Sequence, residues 1–261
     1  MRKTCGTLST TISAITLSRL QRHIFCERLA GNDDYVTSDQ NAEQKIRDSW
    51  HQNAAAWTRA VRTGSIRSRT AGTDAAIVHV ILERTPDSVL DVGCGEGWLS
   101  RRLASAGVDV VGFDGSAELI ASARSEGDAE YHVLSYDDFA VQPDAIAGRF
   151  AVVVFNFALL GQKIEPVLRA ASRKLSADGQ LVIQTVHPLT TAGERYEDGW
   201  RLETFAGLDT GFKESMPWYY RTMGSWVSEL AAADLQLTAL HEPLNPEDAR
   251  PLSLILVCGP K

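Results

Sequence analysis

Asp91, a run of glycines at 93, 95 and 97, and a second carboxylate at Asp114 are the residues of this chain whose types and spacing could do chemistry. Ser88 to Val92 reads as a short buried strand, and the apolar spacing from Trp98 to Ala106 reads as a helix. A strand that passes through a glycine turn into a helix brings bare backbone close to a ligand, because glycine permits positive φ and carries no Cβ. The start of that helix also presents N–H groups without intrahelical partners. Asp109 to Phe113 reads as the next strand, with Asp114 at its tip. An acidic residue there, roughly 20 residues after the glycine turn, is placed to hold ribose hydroxyls.

The glycine spacing selects among nucleotide sites. A dinucleotide fingerprint needs G-x-G-x-x-G, which would put its third glycine at position 98, where Trp98 stands. A phosphate-binding P-loop needs Gly-Lys-Ser/Thr at its end, and none is present. The actual pattern, Asp91-x-Gly93-x-Gly95-x-Gly97 followed by Asp114, closely resembles motif I of the class I S-adenosylmethionine-dependent methyltransferases. The resemblance runs from about Ser88 to Lys261 and is closest to the ubiquinone-biosynthesis-like group. It implies S-adenosylmethionine as cofactor. In that reading Asp91 faces the methionine amino group, Gly93, Gly95 and Gly97 let the backbone approach the methionine and ribose portions, and Asp114 binds both ribose hydroxyls. The lesser alternatives are a turn-forming carboxylate for Asp91 and a cap for the next helix for Asp114. The family usually ends its third strand on an Asp that meets the adenine edge. Here Ser135 stands there, followed by Tyr136, Asp137 and Asp138, so that contact falls to Ser135, Tyr136 or Asp137, or to backbone alone. Asn156 opens the loop where substrate-facing residues begin.

The elements that must position these residues alternate along the chain. Strands are expected at Ser88–Val92, Asp109–Phe113, Tyr131–Leu134, Phe150–Phe157 and Gln180–Val186, with helices at Trp98–Ala106, Ala117–Arg124 and Ile164–Leu175 between them. Such alternation means a parallel sheet covered on both faces. A helix near Ser225–Ala233 precedes two final strands, Gln236–Glu242 and Leu252–Cys258. The expected fold is a Rossmann-like, seven-stranded, mostly parallel sheet with an antiparallel last strand. Before it, Ile46, Trp50, Trp57 and Val61 share one helical face, and a second helix runs from Thr73 or Asp74 to about Arg84. Residues 38–85 are therefore expected to form helices covering the site, and 86–261 the core. Residues 1–37, without an acidic residue before Glu27, read as a flexible extension or an organelle-type targeting segment.

Composition narrows the partners. A net charge of −7 gives no electrostatic footprint for nucleic acid. The loop Asn156-Phe157-Ala158-Leu159 lacks the prolines of methyltransferases that act on base nitrogens, which again argues for a small-molecule substrate. No apolar run reaches the ~20 residues of a membrane span. Cys5, Cys26, Cys94 and Cys258 show no metal-binding spacing, and their usage reads as reduced and cytoplasmic. The insertion at about 189–223 carries Tyr196, Trp200, Phe205, Phe212, Trp218, Tyr219 and Tyr220, and reads either as a substrate lid or as a satellite core. His187 and Tyr219 are the candidate catalytic side chains. His187 follows the fifth strand at its carboxyl end, where it could accept a proton or simply cap a helix. Arg221, Arg67 and Arg69 are candidate partners for a carboxylate. The function expected is methyl transfer to an O, N or C nucleophile of a small molecule, with no metal. A SAM-binding subunit or sensor without catalysis, and a nucleotide-dependent oxidoreductase on the same fold, are the other readings.

Overall fold

The computed structural model describes residues 39–193, 195–208 and 211–261. The expected extension at 1–37 lies outside the described residues.

The chain opens with helix α1 (Asp39–Arg62) and helix α2 (Asp74–Leu82). Then follow β1 (Ser88–Val92), α3 (Trp98–Ala104), β2 (Asp109–Asp114), α4 (Ala117–Arg124) and β3 (Glu130–Val133). The short helix α5 (Tyr136–Val141) leads to β4 (Phe150–Asn156), α6 (Glu165–Arg173) and β5 (Leu175–Val186). One turn of helix, α7 (Pro188–Thr191), precedes a hairpin of β6 (Gly199–Glu203) and β7 (Met216–Tyr220). Helix α8 (Met223–Ala232) and strands β8 (Leu235–His241) and β9 (Ser253–Pro260) complete it.

Seven strands form one sheet in the order β3-β2-β1-β4-β5-β9-β8. The first five run parallel, and β9 runs antiparallel to both β5 and β8. The expected Rossmann-like sheet with a reversed last strand is the fold. Both faces are buried, and the alternation along each strand shows how. Leu90, Val92, Val153 and Phe155 face a core closed by Phe139, Leu168 and Trp226 from α5, α6 and α8. Val89, Val152 and Val154 face the other core, closed by Ile77 and Ile81 of α2 and Leu99 and Leu103 of α3. Each such side chain contributes roughly 1.5–3 kcal/mol when taken out of water, so the strand ends are held on a rigid base.

The strand order reverses between β1 and β4, which puts a crevice at their carboxyl ends. The largest difference from the expected boundaries is at the far end of the sheet, where β5 starts at Leu175 rather than Gln180 and the preceding helix ends at Arg173 rather than Leu175; smaller ones flank the crevice. β3 starts and ends one residue earlier, and Ser135 then caps α5, its Oγ accepting from the Asp138 amide at 3.0 Å. The sequence pattern did not reveal α5, because a helix of this length cannot show a helical period. β4 ends on Asn156, and Phe157 turns the chain out of the sheet with φ of +53°. Such a conformation costs a non-glycine residue energy and tends to persist where the surroundings fix it for function.

Candidate active site

The glycine turn after β1 is shaped by three different requirements. Gly93 has φ of +72°, and a Cβ there would stand 2.2 Å from the Tyr136 hydroxyl and 2.8 Å from the Ala158 Cβ. Gly97, with φ of +81°, would place a Cβ 2.7 Å from the Tyr131 hydroxyl and 2.9 Å from the Ala123 Cβ. Protein atoms therefore fill the space beside both. Gly95 has φ of +57°, and a Cβ there would meet nothing within 4 Å. The open side of Gly95 is a cavity of about 500 Å³ at the carboxyl ends of the strands.

Two carboxylates frame this cavity, Asp91 buried and Asp114 half-buried. Asp114 accepts from the Gly95 amide through Oδ2 at 3.0 Å and from the Ser116 amide through Oδ1 at 2.8 Å. It thus ties the glycine turn to the end of β2. The helix cap of α4 is Ser116, whose Oγ accepts from the Leu119 amide. Burial raises the Asp114 pKa, and the two amides pull it back. Asp91 is 1% exposed and accepts from the Ser100 hydroxyl at 2.7 Å. Burial pushes its pKa up to about 7; the Ser100 hydrogen bond opposes this and the Asp114 charge adds to it. Near neutral pH Asp91 is therefore divided between its ionised and protonated forms.

The same cavity is lined by Asp91, Gly93, Gly95, Asp114, Ser135, Tyr136, Asp137 and Asn156. Eight of the residues expected from sequence are thus brought to one wall. Tyr136 is half-buried and donates to the Ala158 carbonyl at 3.2 Å, which packs it over Gly93. Asn156 presents an Oδ1 with no hydrogen-bond partner. A buried acceptor without a donor is costly, by about 1–3 kcal/mol. Gly97 does not line the cavity; it starts α3 in the left-handed conformation and packs against Tyr131.

The candidate catalytic residues lie elsewhere. His187 is buried, with Nε2 2.7 Å from Glu242 Oε1 and Nδ1 without a partner, and it is not among the cavity-lining residues. Tyr219 packs edge-on against Trp200 at 5.3 Å and lines a smaller pocket beside the main cavity. Arg221 lines that small pocket too. Arg69 lines the main cavity, its Nε donating to Asp74 and its guanidinium 4.4 Å from the Trp98 ring centroid, whereas Arg67 does not.

Sequence reasoning missed Glu96. It sits inside the glycine turn, 1% exposed, and accepts from Arg62 Nε at 2.9 Å and Arg101 Nη2 at 2.7 Å. It ties the end of α1 to the turn. An acidic residue within a ligand turn was the available signal. Helix α1, expected as part of the cover over the site, supplies side chains to it. Glu43, Arg47, Trp50, His51 and Trp57 all reach the cavity, and His51 Nδ1 lies 3.0 Å from Glu118 Oε2. Among the described residues there is no cluster able to hold a metal ion, and no helix is long and apolar enough to cross a membrane.

Residues 89–179 match the family model described as a methyltransferase domain. The ubiquinone biosynthesis O-methyltransferase of Cereibacter sphaeroides is 32% identical over 164 residues, covering 62% of each chain. The chain spans 43–62% of the length of this and the Xanthomonas oryzae relative of the same description. Two solved structures share the fold. One is the 1,6-didemethyltoxoflavin-N1-methyltransferase of Burkholderia thailandensis, with its substrate and S-adenosylhomocysteine bound. It is 19% identical, with a TM-score of 0.59 over 88% of this chain and 93% of that one. The other is the magnesium protoporphyrin IX methyltransferase of Synechocystis with S-adenosylhomocysteine bound. It is 16% identical, with a TM-score of 0.59 over 84% of this chain and 100% of that one.

Proposed function

Because residues 89–179 match a methyltransferase domain, we propose that this chain belongs to the class I S-adenosylmethionine-dependent methyltransferases and transfers the methyl group of S-adenosylmethionine to an O, N or C nucleophile of a small molecule. When bound, the sulfonium supplies an activated methyl: the S–CH₃ bond breaks with its electron pair returning to sulfur, and the nucleophile's lone pair forms the new bond. The protein then has to bind, orient and exclude water.

The cavity wall fits such a ligand. Asp114 can accept from both ribose hydroxyls while keeping its backbone partners, since each carboxylate oxygen has more than one acceptor site. Asp91 faces the ammonium, whose charge would favour the ionised carboxylate. The partnerless Asn156 Oδ1 gains a donor. Ser135, Tyr136 and Asp137 border the adenine end, and Arg69 is the carboxylate's counter-charge. Helix α1 and the β6–β7 hairpin form the acceptor wall, with Tyr219 on that side. The His187–Glu242 pair braces the end of β5 against the chain after β8. A nucleophile that arrives deprotonated needs no base from the protein. The net charge of −7 supports a small-molecule acceptor over nucleic acid, and the buried free thiols Cys94 and Cys258 suit a cytoplasmic location.

The observation that carries this reading is the convergence of Asp91, Gly95, Asp114 and Asn156 on one cavity. Calorimetry should show S-adenosylhomocysteine binding and no measurable NAD binding, and methyl-labelled S-adenosylmethionine incubated with a metabolite extract should label compounds of low molecular mass. Tighter binding of NAD would overturn the proposal. Binding without any turnover would make the chain a sensor or subunit.

A further inference from the structure

Arg221 follows β7 and is only 2% exposed. Its Nη2 donates to the Gly161 carbonyl at 2.7 Å and the Gln162 carbonyl at 2.6 Å, so one nitrogen ties the hairpin to the loop after β4. The guanidinium lies 5.0 Å from the Tyr219 ring centroid and 5.3 Å from that of Trp226. Its Nε and Nη1 have no hydrogen-bond partner. Glu229, Asp198 and Glu43 act on its charge from a distance, and none of them pairs with it. An arginine does not shed its proton to escape such a site. A buried cation with unsatisfied donors is strongly unfavourable unless an anion joins it. The flanking rings offset only a part of this.

Arg221 lines a pocket of about 30 Å³. This pocket shares Trp50, Trp57, Phe157 and Val186 with the main cavity, so it is a side chamber of the proposed methyl-transfer site. The chamber is small, and a planar guanidinium with free donors suits a planar carboxylate. The walls between chamber and cavity are aromatic, with Trp50 and Trp57 edge to face at 5.1 Å. Flat apolar surface of this kind receives a flat apolar body.

We propose that Arg221 anchors the carboxylate of the acceptor, and that the acceptor is an aromatic or conjugated acid whose flat body lies against Trp50, Trp57 and Phe157. This rests on the methyl-transfer reading and names its substrate class. Nη2 keeps the structural role and the free N–H groups of Nη1 supply recognition, since Nε–H points to the opposite side of the guanidinium and does not reach the same carboxylate. Because Arg221 and the Asp91–Asp114 wall occupy different regions, an acid held by Arg221 presents its other end towards the strand ends.

The test uses benzoate and its neutral isostere benzamide as probes, titrated into the full-length protein with and without saturating S-adenosylhomocysteine. Quenching of the pocket tryptophans reports binding. Benzoate is expected to bind at least tenfold more tightly than benzamide. The preference should collapse towards one in Arg221→Gln and be partly restored in Arg221→Lys, while the dissociation constant for S-adenosylhomocysteine stays within twofold. Equal binding of the two probes to the wild-type protein overturns the proposal even if the variants fail to fold. So does a benzoate preference that survives in Arg221→Gln, or phosphate displacing benzoate at equal concentration. Failure of S-adenosylhomocysteine to bind would instead strike the methyl-transfer reading, since the benzoate preference is measured in its absence too.

Discussion

The two walls of the cavity are built by opposite means. The cofactor wall comes from the carboxyl ends of β1, β2, β3 and β4, and its key contacts join residues close in sequence: Asp91 with Ser100, and Gly95 with Asp114. The acceptor wall joins α1 to the β6–β7 hairpin, segments about 160 positions apart, through Asn53 and the backbone at Lys213 and Glu214. The first wall is welded to the sheet. The second is docked on it by a few polar ties and aromatic packing. Chemistry common to a family can sit on the first, and a pocket particular to one chain can be built on the second.

That contrast predicts how cofactor affinity responds to mutation in each wall. The largest effect is expected at Asp114. Asp114→Ala removes the acceptor for the Gly95 and Ser116 amides and, with them, the proposed ribose contacts. Hydrogen bonds to a charged group are worth roughly 1.5–3 kcal/mol each, so affinity for S-adenosylhomocysteine should fall at least a hundredfold. Thermal stability should drop as well, because two partly buried N–H groups lose their partner. Asp114→Asn, which keeps one acceptor oxygen, should fall between. An affinity for Asp114→Ala within threefold of wild type would move the ribose off this wall and erase the distinction between the two.

A smaller effect, with a pH signature, is expected at Asp91. Its pKa of about 7 lies above that of an unfolded aspartate. A proton is therefore held by the native state and released by the unfolded chain between roughly pH 4 and 7. The stabilisation from that proton is fully present below pH 4 and is lost as pH rises through 7. Binding of a cationic ammonium runs the other way, because it requires the ionised carboxylate. Affinity for S-adenosylhomocysteine should rise from pH 5.5 to 8 by roughly thirtyfold, as expected for one group with its midpoint near 7. Asp91→Asn should bind weakly and without that pH dependence. A flat wild-type profile over this range, measured by calorimetry, would remove Asp91 from ammonium binding.

The same division explains what could be read from the sequence. Asp91, the glycine run and Asp114 were legible because one strand-turn-helix unit brings them together, and the alternation of buried strands gave the sheet. The single reason offered for all three glycines was too broad. What fills the space beside Gly93 and Gly97 is Tyr136, Ala158, Tyr131 and Ala123, each from a different element. Helix α5 escaped notice, since six residues show no helical period. His187 was rightly placed at the end of β5, but its partner Glu242 follows β8, far along the chain. Arg221 was seen beside Tyr219. That it is buried, tied by one nitrogen and unpartnered at two others, depends on the loop at Gly161 and Gln162 and on α8. Pairings between distant segments carry no local pattern.

The smallest effect on cofactor affinity should come from cutting the tie that holds the acceptor wall. Asn53 is fully buried on α1. Its Nδ2 donates to the Glu214 carbonyl at 2.7 Å, and its Oδ1 accepts from the Lys213 amide at 2.8 Å and the Glu214 amide at 3.3 Å. Asn53→Ala removes these and leaves backbone groups without partners, at a cost of about 1–3 kcal/mol. The sheet does not depend on them, because its ladders and both apolar cores lie elsewhere. Local opening of the hairpin is therefore expected, rather than global loss of structure. Amide exchange across residues 211–220 should accelerate several-fold, exchange in β1 and β4 should stay as it was, and affinity for S-adenosylhomocysteine should change by less than twofold. Benzoate binding, which draws on Trp50, Trp57 and Arg221 together, should weaken by more than that. If cofactor affinity falls in step with benzoate affinity, the walls are one cooperative unit and the hairpin helps to hold the cofactor. If exchange at 211–220 is unchanged, the aromatic packing of Phe205, Phe212 and Met216 against Ile46 and Trp50 alone holds the hairpin down, and Asn53 merely satisfies a turn.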